Sequence, residues 1–176
     1  MNITSKRILA LTTLATLAAS GQVLAEGRNN SIEAGATFVG GNEMFALGYS
    51  RDLGNNIVTG GGVFFGDNAV DMSESNDQDA WGMYANVGYR FEIAEFDIIP
   101  KIGLNYFNAD VDIKSGEHSG ESMNIDNIYA SIGGTVNWRM VGLTVDYGKI
   151  NDSAINPMTN KKFEEDVVRA TLSFNF

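Results

Sequence analysis

WGMYANVGYRF, residues 81–91, is the stretch of sequence that decides the fold. Large or apolar side chains stand at every second position from Trp81 to Phe91, and mostly small or polar side chains stand between them. A repeat of two residues is the pattern of a β-strand with one apolar face, whereas an amphipathic helix repeats every 3.6 residues. The stretch therefore predicts a strand.

The same alternation recurs along the rest of the chain after Asn30, and no segment after Ala25 favours the helical period. The sequence therefore predicts an all-β fold of eight antiparallel strands. In the predicted strand Ile57–Gly66 the alternation is interrupted at Gly60–Gly62, but Val63 and Phe65 still lie on the apolar face. The other apolar faces are Ile32, Ala34, Ala36 and Phe38; Phe45, Leu47 and Tyr49; Ile98, Pro100, Ile102, Leu104 and Tyr106; Ile128, Ala130, Ile132, Gly134, Val136 and Trp138; Leu143, Val145 and Tyr147; and Val168, Ala170, Leu172, Phe174 and Phe176.

The links between the predicted strands alternate between short and long. The short links are Asp52–Asn56, Glu92–Glu95 and Arg139–Val141. The links at the other end are the short Gly40–Asn42 and the long, polar segments Asp67–Asp79, Asp110–Met123 and Asn151–Lys162. Tight turns at one end and long loops at the other are typical of bacterial outer-membrane barrels, whose long loops lie outside the cell. Eight strands match the smallest closed barrels.

The two faces of the strands differ in a way that favours a membrane-spanning barrel. Large apolar side chains share one face, and Gly, Ser, Thr, Asn and a few charged residues share the other, which suits a crowded lumen. A soluble barrel such as a lipocalin is the alternative, and its small-residue face would meet water. Aromatic residues near the strand ends predict two interfacial rings: Phe38, Phe45, Trp81 and Tyr106 toward the long loops, and Tyr49, Phe91, Trp138 and Phe176 toward the short turns.

The N-terminal residues have the layout of a secretory signal peptide. Lys6 and Arg7 precede the apolar stretch Ile8–Ala19, and the small-residue site Val23-Leu24-Ala25 follows. We therefore expect residues 1–25 to be removed and residues 26–176 to form one barrel domain in the outer membrane. The remaining chain is more acidic than the formal charge of −10 of the whole, which argues against binding to nucleic acid. The chain has no Cys, which excludes disulfides, thiolate metal sites and a lipid-anchored cysteine.

Two motifs resemble the small OmpA/OmpX-type barrels of Gram-negative cell envelopes: VGYRF at Val87–Phe91 and ATLSFNF at Ala170–Phe176. The resemblance implies an eight-stranded barrel in contact with outer-membrane lipid and lipopolysaccharide. It also implies that Leu172, Phe174 and Phe176 form the signal that the outer-membrane assembly machinery recognises. Pro100 departs from the pattern, because it lies inside a predicted strand and has no N–H, and we expect a local bulge there.

Charged residues on the predicted lumen face are candidates for ion pairs. A hairpin about Glu92–Glu95 would place Phe91 opposite Phe96 and Arg90 opposite Asp97. Arg169 on the last strand would lie within reach of Asp146 on one side and Glu33 on the other. A charge in a low-dielectric lumen is costly unless it is paired, so ion pairs that close the lumen are predicted. The alternative is that interior water solvates each charge. The predicted lumen charge cluster is Glu33, Arg90, Asp97, Asp146 and Arg169.

The sequence offers little for catalysis or metal binding. The one histidine, His118, lies in a predicted loop, and Gly116–Gly120 does not match a nucleophile elbow, in which Ser takes the third position. Five loop carboxylates do not have the spacing of a calcium loop, so they are interpreted as solvated charge. We expect no catalytic residue, cofactor or metal. The loop carboxylates are Asp67, Asp71, Glu74, Asp77 and Asp79.

The function that follows is a non-enzymatic, monomeric, integral outer-membrane barrel whose surface loops interact with partners or stabilise the envelope. Two alternatives stay open: a narrow channel, and a barrel enzyme that modifies lipid A. The sequence identifies no extracellular partner, because a fold supplies none by itself.

Overall fold

The computed structural model describes residues 30–67, 76–114, 119–156 and 160–176. The predicted signal peptide and His118 lie outside these residues. None of the described residues forms a helix long and apolar enough to cross a membrane. The strands are β1 Asn30–Val39, β2 Asn42–Asp52, β3 Ile57–Gly66, β4 Asn76–Tyr89, β5 Phe91–Ile93, β6 Phe96–Ile113, β7 Ser122–Trp138, β8 Val141–Asn156 and β9 Lys161–Asn175.

The strands form one closed antiparallel barrel. Each strand pairs with its neighbours in sequence, β1 pairs with β9, and β4 pairs with β6. β4 and β5 are two parts of one barrel strand, because both pair with β6 in the same register: Gly88 faces Lys101, and Phe91 faces Ile98. The barrel therefore has eight strands, as predicted. We call the end with the β2–β3, β5–β6 and β7–β8 turns the turn end, and the opposite end the loop end.

Pro100 is accommodated by a gap in the ladder and not by the predicted bulge. The register is the same on both sides of the gap, although no ladder pair joins Tyr89 and Arg90 to the residues opposite them. Pro100 keeps its pairing with Gly134 of β7 on its other side. The Arg90 N–H donates instead to the carbonyl oxygen of Asn56 at 2.8 Å. The expectation of a bulge was wrong because a proline lacks only one donor, and losing local pairing on one side is enough.

The strands at the loop end are longer than the sequence predicted. β6 and β7 stay paired up to Asp112 and Ser122, and β8 and β9 stay paired up to Asn156 and Lys161, with an irregularity between Asn151 and Ile155. β4 begins at Asn76, inside the predicted loop 67–79. The predicted loops 110–123 and 151–162 are therefore too long. Polar residues marked these segments as loops, yet they alternate with buried apolar residues at a period of two.

The large residues predicted for the outer face do point outward over most of the barrel. Ile128, Ile132 and Leu172 are 72%, 66% and 70% exposed. Aromatic side chains lie at both ends of this surface, with ring contacts between Trp81 and Tyr106 toward the loop end and between Tyr89 and Phe91 toward the turn end. We call this outward surface between the aromatic residues the apolar belt. The inward side chains at the same height are buried and mostly polar: Glu33, Thr37, Ser50, Asn86, Lys101, Asn105, Thr135, Thr144, Asp146, Arg169, Thr171 and Ser173.

The two faces exchange character at the loop end, which the sequence analysis did not predict. On β6 the outward residues change from Leu104 to Asp110, while the inward residues change from Lys101 to Val111. Here the barrel has an apolar interior and a polar exterior, like a soluble protein. We call this part the loop-side extension: residues 76–79 of β4, 108–113 of β6, 122–127 of β7, 149–156 of β8 and 161–166 of β9.

Candidate functional site: the closed lumen and the loop-side extension

A buried ion pair lies in the lumen between β8 and β9. Arg169 and Asp146 face each other in the strand register. The Nη2 and Nε atoms of Arg169 donate to Asp146 Oδ2 at 2.6 and 3.1 Å, and Nη1 donates to Asn105 Oδ1 at 3.2 Å. Both charged side chains are almost completely buried. The two charges are therefore compensated directly, with a further acceptor supplied by β6 on the far side of the guanidinium.

Tyr84 extends this contact to the opposite wall. Its ring lies 3.4 Å from the guanidinium carbon of Arg169, which is a close cation–π contact. The phenol oxygen lies over Gly48 of β2 and Gly62 of β3, where a Cβ atom at either glycine would collide with it. Two residues without side chains thus make room for the ring. Arg169, Asp146, Asn105 and Tyr84 together cross the lumen from β9 and β8 to β6 and β4.

Glu33 has a different partner from the one predicted. Its Oε1 lies 3.6 Å from Lys101 Nζ of β6, and both side chains are buried. Ser50 Oγ donates to Oε1 at 3.1 Å, and Thr171 Oγ1 donates to Oε2 at 3.3 Å. The carboxylate is therefore held by one ammonium group and two hydroxyl groups. With the Arg169 group, this pair forms what we call the ionic layer.

The expected contact between Arg169 and Glu33 was wrong because of the strand register. Arg169 faces Thr37 of β1, whereas Glu33 faces Ser173 of β9, so the two charges lie at different depths. Lys101 was not among the predicted lumen charges. Its phase was the available signal, because it shares the inward face of its strand with Asp97 and Asn105.

Arg90 and Asp97 are not opposite each other as predicted. Asp97 faces Glu92, and Phe91 faces Ile98 and not Phe96. The prediction assumed a four-residue link, but the hairpin closes on the two residues Ala94 and Glu95, with Ala94 at φ 55°. Arg90 Nη1 instead lies 2.9 Å from Asp52 Oδ2, and its Nε lies 3.9 Å from Asp97 Oδ2. The main partner of Arg90 is therefore a residue that the sequence analysis did not include.

A small polar cavity of about 10 Å³ lies at the turn end of the lumen, below the ionic layer. Asn137 Oδ1, Asn175 Nδ2 and Arg90 Nε are buried polar atoms near it without a hydrogen-bond partner among the described residues. Buried polar atoms are normally satisfied by protein or water, so this part of the lumen suits water. The cavity is lined by Asn30, Ser31, Ser50, Arg51, Asp52, Val58, Arg90, Ile99, Lys101, Thr135, Asn137 and Asn175.

An apolar layer fills the lumen at the loop end. The rings of Phe64 and Phe107 are stacked with centroids 6.4 Å apart, and both side chains are fully buried. Water gains nothing from entering such a region, because it offers no hydrogen-bond partners. Together with the ionic layer it separates the polar cavity from the loop end. The layer includes Val39, Met44, Phe64, Phe107, Val111, Met123, Ile125, Ile150, Phe163 and Val167.

The loop-side extension is held together partly by side chains. β7 and β8 are paired only as far as Ser131 and Gly148. Beyond that point, Asn127 Nδ2 donates to the Asn151 carbonyl oxygen at 2.9 Å, and the Asp126 N–H donates to Asp152 Oδ2 at 3.2 Å. These contacts bridge two strand edges in place of a ladder. The apolar cluster inside and the bridges outside make the extension an ordered structure and not a set of loose loops.

The remaining predicted residues have simple positions. Leu172 and Phe174 point outward from β9, and the rings of Phe174 and Phe176 lie 6.5 Å apart. Their role as an assembly signal stays a prediction. Asp71 and Glu74 lie outside the described residues. Among the described residues, no group of three or more His, Cys, Asp or Glu side chains could hold a metal ion.

Comparison with protein-family models found no match, and comparison with curated proteins found none either. Solved structures do match. The N-terminal β-barrel domain of Pseudomonas aeruginosa OprF is similar, with a TM-score of 0.53 and 13% identity over 85% of this chain and 98% of that one. Ail, the attachment invasion locus protein of Yersinia pestis, has a TM-score of 0.52 and 14% identity over 84% and 97%. Neisserial surface protein A has a TM-score of 0.50 and 14% identity over 84% and 95%.

Proposed function

We propose that the protein is a non-enzymatic, monomeric barrel of the outer membrane, because the chain has the eight-stranded fold of small outer-membrane β-barrels. Its lumen is closed, and its loop-side extension stands outside the cell as a surface for interaction or envelope stabilisation. Lipid and lipopolysaccharide surround the belt, and the outer-membrane assembly machinery inserts the barrel.

The apolar belt is the observation that carries the proposal. On β6 it runs from Phe96 to Tyr106. Ten steps of about 3.3 Å at a strand tilt of 35–45° span roughly 25 Å along the barrel axis, which is the height of the apolar band of outer-membrane barrels. In water such a surface would be an exposed apolar patch far larger than soluble monomers carry. In lipid it needs no other cover.

The exchange of faces at the loop end supports an exterior position for the extension. Its outward side chains include Asp110, Asp126, Lys149, Glu164 and Asp166, which would be costly against hydrocarbon. Its interior is apolar, so this part of the barrel is built for water on the outside. The belt therefore ends where the extension begins, and the extension projects beyond the membrane.

The closed lumen supports a non-conducting barrel over a channel. An ion entering from the turn end would reach the polar cavity and then meet the ionic layer. Beyond that it would have to cross the apolar layer around Phe64 and Phe107, where it would lose its hydration without new partners.

The proposal is tested by membrane fractionation combined with gel mobility. The protein should be found in the outer-membrane fraction, and unheated samples should migrate differently from heated ones, because a closed barrel resists detergent until it is heated. Purified barrel added to a planar lipid bilayer should give no stable conductance steps. A soluble periplasmic fraction would contradict the membrane location, and regular conductance steps would favour the channel.

A further inference from the structure

The turn end exposes one large apolar side chain on each of its three turns. Leu53 on the β2–β3 turn is 62% exposed, Ile93 on the β5–β6 turn is 56% exposed, and Met140 on the β7–β8 turn is 47% exposed. The described turn at the loop end differs, because Gly40 and Gly41 form its tip. Single exposed apolar residues are ordinary on protein surfaces. One on every turn of the same end, next to an apolar belt, calls for a physical cause.

The backbone holds these side chains outside. The Leu53 N–H donates to the Ile57 carbonyl oxygen at 2.8 Å, and the Met140 carbonyl oxygen accepts from the Asn175 N–H at 2.8 Å. All three turns use residues in the left-handed region: Asn55 at φ 53° and Asn56 at φ 64° on the β2–β3 turn, and Ala94 and Arg139, both at φ 55°, on the other two. Closed turns of this kind leave little freedom for a side chain to fold back onto the barrel. The three tips therefore point away from it.

The depth of the turns places their tips at the lipid headgroups. Two of the hairpins close on aromatic residues, since Ile93 faces Phe96, and Trp138 faces Val141. These two turns thus extend only two residues beyond aromatic side chains that mark a membrane interface. Two residues span at most about 7 Å. Each headgroup layer is about 5–7 Å thick, so the tips end inside that layer.

Two arginines at the turn end fit phosphate groups, although the exposed carboxylates Glu92 and Glu95 lie at the same end. Arg51 points outward from β2 just beyond Tyr49 and is exposed. The Arg139 guanidinium lies 5.2 Å from the centroid of the Trp138 ring and 3.8 Å from Glu95. Arginine combines a stem that tolerates apolar surroundings with a fork of donors that suits phosphate oxygens. At the loop end, the outward residues next to the aromatic side chains are mainly carboxylates, on β2, β7 and β9, with one ammonium group on β8: Glu43, Asp126, Asp166 and Lys149.

We propose that the turn end is a docking surface for phospholipid headgroups. Leu53, Ile93 and Met140 insert at the boundary between headgroups and acyl chains, and Arg51 and Arg139 contact lipid phosphates. The inference rests on the proposed membrane embedding. It goes beyond that proposal, because it seats the turns within the lipid and leaves no turn free as a surface for a soluble periplasmic partner.

The absence of cysteine in the chain allows a direct test with single spin labels. The variants Leu53→Cys, Ile93→Cys and Met140→Cys are labelled with a nitroxide and refolded into phosphatidylglycerol vesicles. Ile132→Cys in the belt and Ser122→Cys in the extension are the matched references. Collisions with a water-soluble nickel chelate should be several-fold fewer at all three turn sites than at residue 122, and more frequent than at residue 132.

The inference would be overturned if the nickel chelate reached the three turn sites as often as residue 122 while residue 132 stayed protected. That result would leave the proposed membrane embedding of the barrel intact. Nickel access at residue 132 as high as at residue 122 would instead contradict the embedding itself.

The phosphate contacts are tested with the double variant Arg51→Gln, Arg139→Gln. It should lose stability to urea in phosphatidylglycerol vesicles and keep it in dodecyl maltoside micelles, which contain no phosphate. An equal loss in both would assign the arginines to contacts within the protein.

Discussion

At the scale of single residues, the Arg169–Asp146 pair is the most sensitive point of the lumen. Removing one partner leaves an uncompensated buried charge, so Arg169→Met should cost about 3–5 kcal/mol of unfolding free energy. The double variant Arg169→Met, Asp146→Leu should lose less, because neither charge then remains. Urea unfolding in lipid vesicles measures both. Conductance should stay absent in either variant, since the apolar layer is untouched. Equal losses from the single and double variants would mean that the charges are hydrated independently.

The contact between Tyr84 and Gly48 makes a second residue-scale prediction. Gly48→Ala places a methyl group against the phenol oxygen and should cost about 1–3 kcal/mol through overpacking. Tyr84→Phe removes that oxygen, which is buried without a hydrogen-bond partner among the described residues, so the same alanine should cost less in the Tyr84→Phe background. Gly134→Ala is the control, because its Cβ would meet nothing closer than 3.3 Å. A cost at Gly48 that is the same in both backgrounds would show that the ring is not what excludes the side chain.

At the scale of one element, β7 crosses from the apolar belt into the loop-side extension. Ile132→Arg should destabilise the barrel by roughly 2–4 kcal/mol, because it puts a charge on the lipid face near the middle of the belt. Ser122→Arg on the same outward face of the same strand should change stability by less than about 0.5 kcal/mol, since that position faces water. Urea unfolding in vesicles compares the two. An Ile132→Arg barrel as stable as the Ser122→Arg barrel would refute the placement of the belt in lipid.

At the scale of the whole molecule, the barrel should have its turn end in the periplasm and its loop end outside. Gly41 and Gly54 lie in turns at opposite ends, and both have open space around their Cα atoms, so short insertions should be tolerated at each. An epitope tag after Gly41 should be detected by antibody on intact cells. The same tag after Gly54 should be detected only after the outer membrane is opened. The reverse pattern would mean that the barrel is inserted with its turns outside.

The alternation of apolar residues was enough to predict the eight strands, the closed antiparallel barrel and the outward direction of residues such as Ile132 and Leu172. The physical reason is that the side-chain period of a strand is two, so one residue's direction follows from its neighbour's. The same rule placed Arg169 and Asp146 in the lumen. The same rule also places Lys101 on the inward face of its predicted strand, although that phase was not used. It applies to the apolar inner face of the extension as well, where the polar residues in between made the segments look like loops.

Partners across the lumen could not be derived from the sequence. Whether Glu33 meets Arg169 or Lys101 depends on the register between strands and on which strands lie opposite each other across the lumen. The residue pattern of a single strand encodes neither of these. Register also decided that Asp97 faces Glu92, through a turn only two residues long. The sequence by itself determined which side chains point inward, because that follows from local backbone geometry. Only the tertiary structure decided at what depth each charge lies and which opposite charge it meets, because closure of the barrel brings together residues that are far apart in the chain.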